Sequence, residues 1–165
     1  ETELRGKLLP GPSPASTYPG RVSLSCVLVN DNYVHDNNLP NFAPAGNGFE
    51  VSVPVGSGIL VVGVDNATIR NNKITNNNLT GVAVVSTLVL GGLSGLPPEA
   101  FADIEPNADG AHIIKNELSG NGTAPPPGLP LPGVDLLWDG TGINNCWSYN
   151  IFTSSYPSPL PSCTP

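Results

Sequence analysis

Residues 69–77 read Ile69-Arg70-Asn71-Asn72-Lys73-Ile74-Thr75-Asn76-Asn77. Three other segments align with them on asparagine. They are Val29-Asn30-Asp31-Asn32-Tyr33-Val34-His35-Asp36-Asn37, Ile113-Ile114-Lys115-Asn116-Glu117-Leu118-Ser119-Gly120-Asn121 and Trp147-Ser148-Tyr149-Asn150-Ile151-Phe152-Thr153-Ser154-Ser155. The shared pattern is apolar-x-x-Asn-x-apolar-x-x-Asn/Ser. A Gly-led apolar run follows the first three: Gly58-Ile59-Leu60-Val61-Val62, Gly81-Val82-Ala83-Val84-Val85 and Gly133-Val134-Asp135-Leu136-Leu137. Each unit therefore reads as two very short strands punctuated by Asn, then a longer apolar strand.

Gly58 and Gly81 are 23 residues apart, while Asn32, Asn72, Asn116 and Asn150 are spaced by 40, 44 and 34. A fixed short unit with variable additions is the signature of a stacked repeat. The additions fall at 39–55, 88–107 and 124–132, rich in Pro, Gly and Ala, and read as loops leaving the stack. The predicted fold is all-β: a right-handed parallel β-helix (β-solenoid) of about four coils with loop insertions and an extended N-terminal arm. Inward ladders of Val29/Ile69/Ile113 and Val34/Ile74/Leu118/Ile151 would form the core. The asparagines would sit at tight bends, tolerating a left-handed backbone and bonding from coil to coil. A β-sandwich is the structural alternative, but it wants longer alternating strands every 8–12 residues.

Composition agrees. The 165 residues include 19 Gly, 19 Pro and 18 Asn, about a third of the chain in strong turn formers. Helical bundles cannot carry Pro and Gly at that density. Six Lys+Arg against thirteen Asp+Glu, a net charge of −7, argue against nucleic acid as a partner. At 39% hydrophobic the chain has enough apolar residues for a core. No apolar run is long enough for a transmembrane segment. The start at Glu1 reads as a removed signal or as a piece of a longer product.

The runs NDNYVHDNNLPNFAP, PVGSGILVVGVDNATIRNNKITNNNLTGVAVV, GGLSGLPPEAFADIEPNADGAHIIKNELSGNG and PGVDLLWDGTGINNCW resemble secreted right-handed parallel β-helix repeat proteins of the pectate-lyase-like superfamily, their C-terminal coils in particular. The resemblance spans about 26–163. It implies the fold and leaves activity open, since such proteins include polysaccharide lyases, hydrolases, epimerases and many without assigned activity.

Residues 1–25, with Pro10, Pro12, Pro14 and Pro19, read as an extended arm or cap; 26–145 hold the coils; 146–165 form a C-terminal cap. Cys146 and Cys163 bracket that cap and are expected to form a disulfide, which implies an oxidising, extracellular or cell-surface location. Cys26 is then a buried residue or an intermolecular partner. Asn66, Asn78 and Asn121 begin N-x-[ST] sequons and are the glycosylation candidates.

Chemistry is sparser. Asp135 and Asp139 are the candidate catalytic carboxylates, as hydrolases of this shape use paired acids on neighbouring coils. The ordinary reading is turn capping, which also suits Asp31, Asp36 and Asp65. Asp103, Glu105, Asn107 and Asp109 alternate oxygen ligands ahead of Gly110 and are the Ca²⁺ candidates, although the loop departs from an EF-hand. No other cofactor is expected. Arg70, Lys73 and Lys115 could form a cationic stripe for acidic sugars, or simply be solvated. His35 and His112 read as surface residues. Trp138, Trp147, Tyr149 and Tyr156 suit an end cover better than a sugar platform. The expected function is that of a non-enzymatic extracellular structural protein, self-associating into a fibre through its arm or coil ends. The alternative is a carbohydrate-binding or polysaccharide-degrading module.

Overall fold

The computed structural model describes residues 27–43, 49–95, 97–101 and 103–164. The expected arm at 1–25 and Cys26 lie outside the described residues. The strands are β1 (Leu28–Asn30), β2 (Tyr33–His35), β3 (Ser57–Val62), β4 (Thr68–Arg70), β5 (Lys73–Thr75), β6 (Thr80–Val85), β7 (His112–Ile114), β8 (Glu117–Ser119), β9 (Val134–Trp138), β10 (Cys146–Ser148) and β11 (Ser155–Tyr156). They form three sheets, ordered β1-β4-β7-β10, β2-β5-β8 and β3-β6-β9-β11, and every pairing is parallel. The chain visits the three sheets in the same order on each pass. A parallel pair needs a long crossover, and here the rest of the pass supplies it.

The main core lies between the sheets. Register stacks Val29, Ile69, Ile113 and Trp147 in the first sheet, and Val34, Ile74 and Leu118 in the second. Ile59, Val82 and Leu136 stack in the third. Full burial of each such side chain contributes about 1.5–3 kcal/mol. Ile151 departs from its expected column. It bridges Glu117 instead of Leu118 and is 69% exposed. The second sheet holds only an isolated bridge on the last pass, because the chain turns away at Thr153 and Ser154 to meet Asp135.

The additions are less loop-like than expected. Residues 88–107 contain most of a short helix, α1 (Thr87–Leu93), whose Leu88 N–H is capped by Ser86 Oγ at 3.1 Å. Gly91 faces the Phe101 ring so closely that a Cβ there would fall 2.5 Å from its atoms. The third sheet is apolar on both faces, and its outer residues Ala83, Val85, Val134 and Leu137 are covered by Val89 of α1 and by Leu131. These segments shield a second apolar layer that alternation alone did not reveal.

The bends separate two roles that the sequence merged. Positive φ falls on Asp31, Asn71, Lys115 and Tyr149, and on Asp36, Asn76 and Gly120. Each precedes the aligned asparagine. The first residue of each pair bends the chain, and the following Asn32, Asn72, Asn116, Asn150, Asn37, Asn77 or Asn121 bonds across the stack. Lys115 at φ 55° and Tyr149 at φ 57° occupy a conformation that costs side chains other than Gly, Asn and Asp about 1–2 kcal/mol. Lys115→Asn is therefore expected to stabilise the fold by about 1 kcal/mol, raising Tm by about 2–4 °C in a thermal melt. No change or a loss would contradict this reading of the bend.

Candidate functional site

Two asparagine ladders run along the stack. In the first, Asn32 Nδ2 donates to Asn72 Oδ1 (3.0 Å), Asn72 Nδ2 to Asn116 Oδ1 (2.9 Å) and Asn116 Nδ2 to Asn150 Oδ1 (3.0 Å). Each receiving Oδ1 also takes the main-chain N–H of the asparagine above it. The second N–H of Asn72, Asn116 and Asn150 reaches the carbonyls of Val29, Ile69 and Ile113. The second ladder runs Asn37, Asn77, Asn121 with the same geometry. It ends on Asp135.

Asp135 is 1% exposed. Its Oδ1 accepts Asn121 Nδ2 (2.9 Å) and the Asn121 main-chain N–H (3.3 Å). Its Oδ2 accepts the N–H groups of Thr153 (2.9 Å) and Ser154 (3.2 Å). A carboxylate is required because both sides of this position present donors, and an amide would aim its own N–H groups at one of them. Asp139 sits past the other end of β9, roughly 13 Å along the strand. Its carboxylate accepts Ser86 N–H (2.7 Å), Thr141 N–H (2.9 Å) and the Thr141 hydroxyl (2.7 Å). Among the described residues the two candidate catalytic carboxylates share no partner, and each orders main chain.

Of the expected calcium set, Glu105 and Asp109 are brought together, with Asp65 as the third member. Ligand oxygens of Asp65, Glu105 and Asp109 lie within 4.8 Å of one another, all half-buried. Asp103 is exposed and outside the group, and Asn107 donates its main-chain N–H to Glu105 Oε1 at 3.0 Å. Asp65 Oδ1 accepts Asp109 N–H (3.3 Å), and Asp109 Oδ1 accepts Ile143 N–H (2.8 Å). Three carboxylates are the donor chemistry of a hard divalent cation such as Ca²⁺. The repeat arithmetic could have found Asp65. Asp65 and Asp109 are 44 apart, the offset of Asn72 and Asn116, and Asp109 and Ile143 are 34 apart, the offset of Asn116 and Asn150.

The remaining candidates are dispersed. Arg70 Nε donates to Asn30 Oδ1 at 2.9 Å, Lys73 Nζ lies 5.5 Å from the centre of the Tyr33 ring, and Lys115 is exposed at its bend. His112 is exposed. His35 stacks on Tyr33 with ring centres 4.2 Å apart, and its Nδ1 lies 2.8 Å from Asp36 Oδ2. Trp147 is buried and Trp138 half-buried, 5.6 Å apart, whereas Tyr149 and Tyr156 are exposed. Cys146 and Cys163 form a disulfide. Asn66 is exposed, Asn78 half-buried and Asn121 buried with both amide hydrogens engaged, to Asp135 and to Ile74 C=O.

A cleft of about 730 Å³ opens beside the first pass. Tyr33, His35, Asp36, Asn41, Phe42 and Val53 are among the residues that line it. Phe42 is 96% exposed and Tyr33 54%. Aromatic faces among amides and a carboxylate are the surface chemistry that suits a polar, ring-shaped ligand.

No protein-family model matches the chain, and neither a characterised protein nor a solved structure matches it. The resemblance drawn from the repeats thus finds support in the parallel all-β architecture and none in these comparisons. Among the described residues no helix is long and apolar enough to cross a membrane.

Asp135→Asn separates a structural carboxylate from a spare one. The expected cost is about 3 kcal/mol in urea unfolding, from two misdirected donors at a buried site. A cost below about 1 kcal/mol would show that the carboxylate is free for other chemistry.

Proposed function

We propose that this chain is a right-handed parallel β-solenoid of four coils, acting as a non-enzymatic extracellular structural protein that self-associates through its coil ends. The observation that carries the reading is the use of Asp135 and Asp139: both candidate catalytic acids are engaged by main-chain N–H groups of the stack. The cyclic passage through three parallel sheets supports the solenoid. β1, β2 and β3 end their sheets with pairing on one side only among the described residues, and unpaired parallel edges template association. The Cys146–Cys163 disulfide suits an oxidising compartment. Light scattering across a concentration series is expected to show mass rising above the 17.0 kDa monomer. A monomer at every concentration would overturn self-association.

A second reading rests on the Tyr33–Phe42 cleft: a carbohydrate-binding or polysaccharide-degrading module. Glycan-array binding that is lost in Tyr33→Ala would favour it, and a blank array with no release of reducing sugar would exclude it.

A further inference from the structure

The two ends of the stack differ. At the first-pass end, Val27 C=O accepts Thr68 N–H and Asp31 N–H donates to Arg70 C=O, so these residues face β4. By alternation, the N–H and C=O groups of Leu28 and Asn30 point away from it. Val29 is half-buried and packs on the core from this side. Asn32 heads its ladder, and among the described residues its Oδ1 accepts no hydrogen bond.

At the last-pass end the outward group of β10 is Trp147 N–H, and Pro161 C=O takes it at 2.8 Å. Trp147 bridges Ser162 in parallel, Cys163 N–H donates to Ser148 Oγ at 3.1 Å, and Leu160 packs on the main core. Residues 157–163 therefore lie where one more strand of the first sheet would lie. The fit is incomplete, because among the described residues the buried Trp147 Nε1–H has no acceptor, a cost of about 1–3 kcal/mol. The Cys146–Cys163 bond holds the segment in place despite it. Pro159 and Pro161 lack N–H groups, so the segment offers a poor template for a further strand.

We propose that residues 157–163 are a disulfide-latched strap over a concealed interaction surface, and that the partner this surface fits is the β1 edge of a second copy. In that contact Leu28 and Asn30 supply the main-chain groups that Pro161 now supplies. Val29 takes the register position that Ser162 now holds beside Trp147, and its side chain covers the core that Leu160 now covers. The first ladder runs from donor to acceptor in one direction and ends at Asn150, so the open Oδ1 of a partner's first ladder residue continues it with the same polarity. The contact joins unlike ends, so it does not close and gives an open filament. With the strap seated, association is confined to the first-pass end. The inference rests on the reading of the coil ends as association surfaces.

The test compares the intact chain with a Cys146→Ser/Cys163→Ser variant and with a Cys146→Ser chain truncated after Tyr156. Mass is read by light scattering, shape by electron microscopy, and folding by circular dichroism. The unlatched or truncated chain is expected to gain roughly tenfold or more in mean mass as filaments, which an open contact permits. Adding Leu28→Pro, which removes an outward N–H at an edge strand, is expected to abolish the filaments and return it to the mass of the intact chain or below it. Folded variants with the mass of the intact chain would overturn the strap, as would assembly that persists with Leu28→Pro. A monomeric intact chain beside filamentous variants would refute self-association of the latched protein and leave the strap standing.

Discussion

A parallel stack whose first two sheets are built of three-residue strands has a difficulty at every corner. Where the chain turns from one sheet to the next, the main-chain N–H and C=O groups lose their strand partners, and a buried group without a partner costs about 1–3 kcal/mol. The asparagine side chains answer this. At the first ladder's bends the Asn N–H donates to the carboxamide of the next rung, and the carbonyls of Asn32, Asn72 and Asn116 accept N–H groups from Lys73, Glu117 and Ile151. Asn72, Asn77 and Asn116 are at most 2% exposed. Buried amides are tolerated only when their groups are matched, so these columns fix the vertical register of all three sheets.

That constraint explains the acids. A ladder that always donates downward is closed by a group that only accepts, and the second ladder has one. The first ladder ends at Asn150, which bonds back to the Ile113 carbonyl as every lower rung does and keeps its donating polarity. The second meets the returning chain at Thr153 and Ser154, where donors arrive from both sides, and Asp135 closes it. The same logic places Asp139 against Ser86 and Thr141, and Asp65 and Asp109 against the N–H groups of the pass that follows each of their bends. An acidic chain with few cations thus acquires much of its buried and half-buried negative charge as structure.

Much of the architecture could be read from the sequence, because the Asn period and the inward aliphatics repeat at matching offsets. What escaped did so for physical reasons. The Gly-led runs aligned Gly133 with Gly81, but register places Asp135 beside Gly81. A two-residue shift keeps the alternation from Leu136 onward in phase, so hydrophobic alternation could not detect it, although it moves Val134 to the outer layer. Ile151 reads as inward because it is aliphatic, but in the aligned segments it stands at the outward position of Lys73 and Glu117 and bridges Glu117 there; the inward position falls to Phe152, and the last pass leaves the second sheet after one bridge. The split between bending residue and bonding asparagine was hidden because Asn71-Asn72 and Asn76-Asn77 use one residue type for both tasks. Lys115-Asn116 and Tyr149-Asn150 reveal it only through their positive φ. The cleft by Tyr33 and the acidic group around Asp65 depend on how long insertions return to the stack, and no periodicity governs that.

The central claim is that the matched carboxamides hold the stack together. The most direct measurement is hydrogen exchange of the asparagine side-chain amides, followed by NMR on the intact protein. The account requires the Nδ2 protons of Asn72, Asn77, Asn116 and Asn121 to exchange as slowly as the core strands β4–β6, at rates set by global unfolding. Exchange at those four amides as fast as at the exposed Asn76 would contradict it.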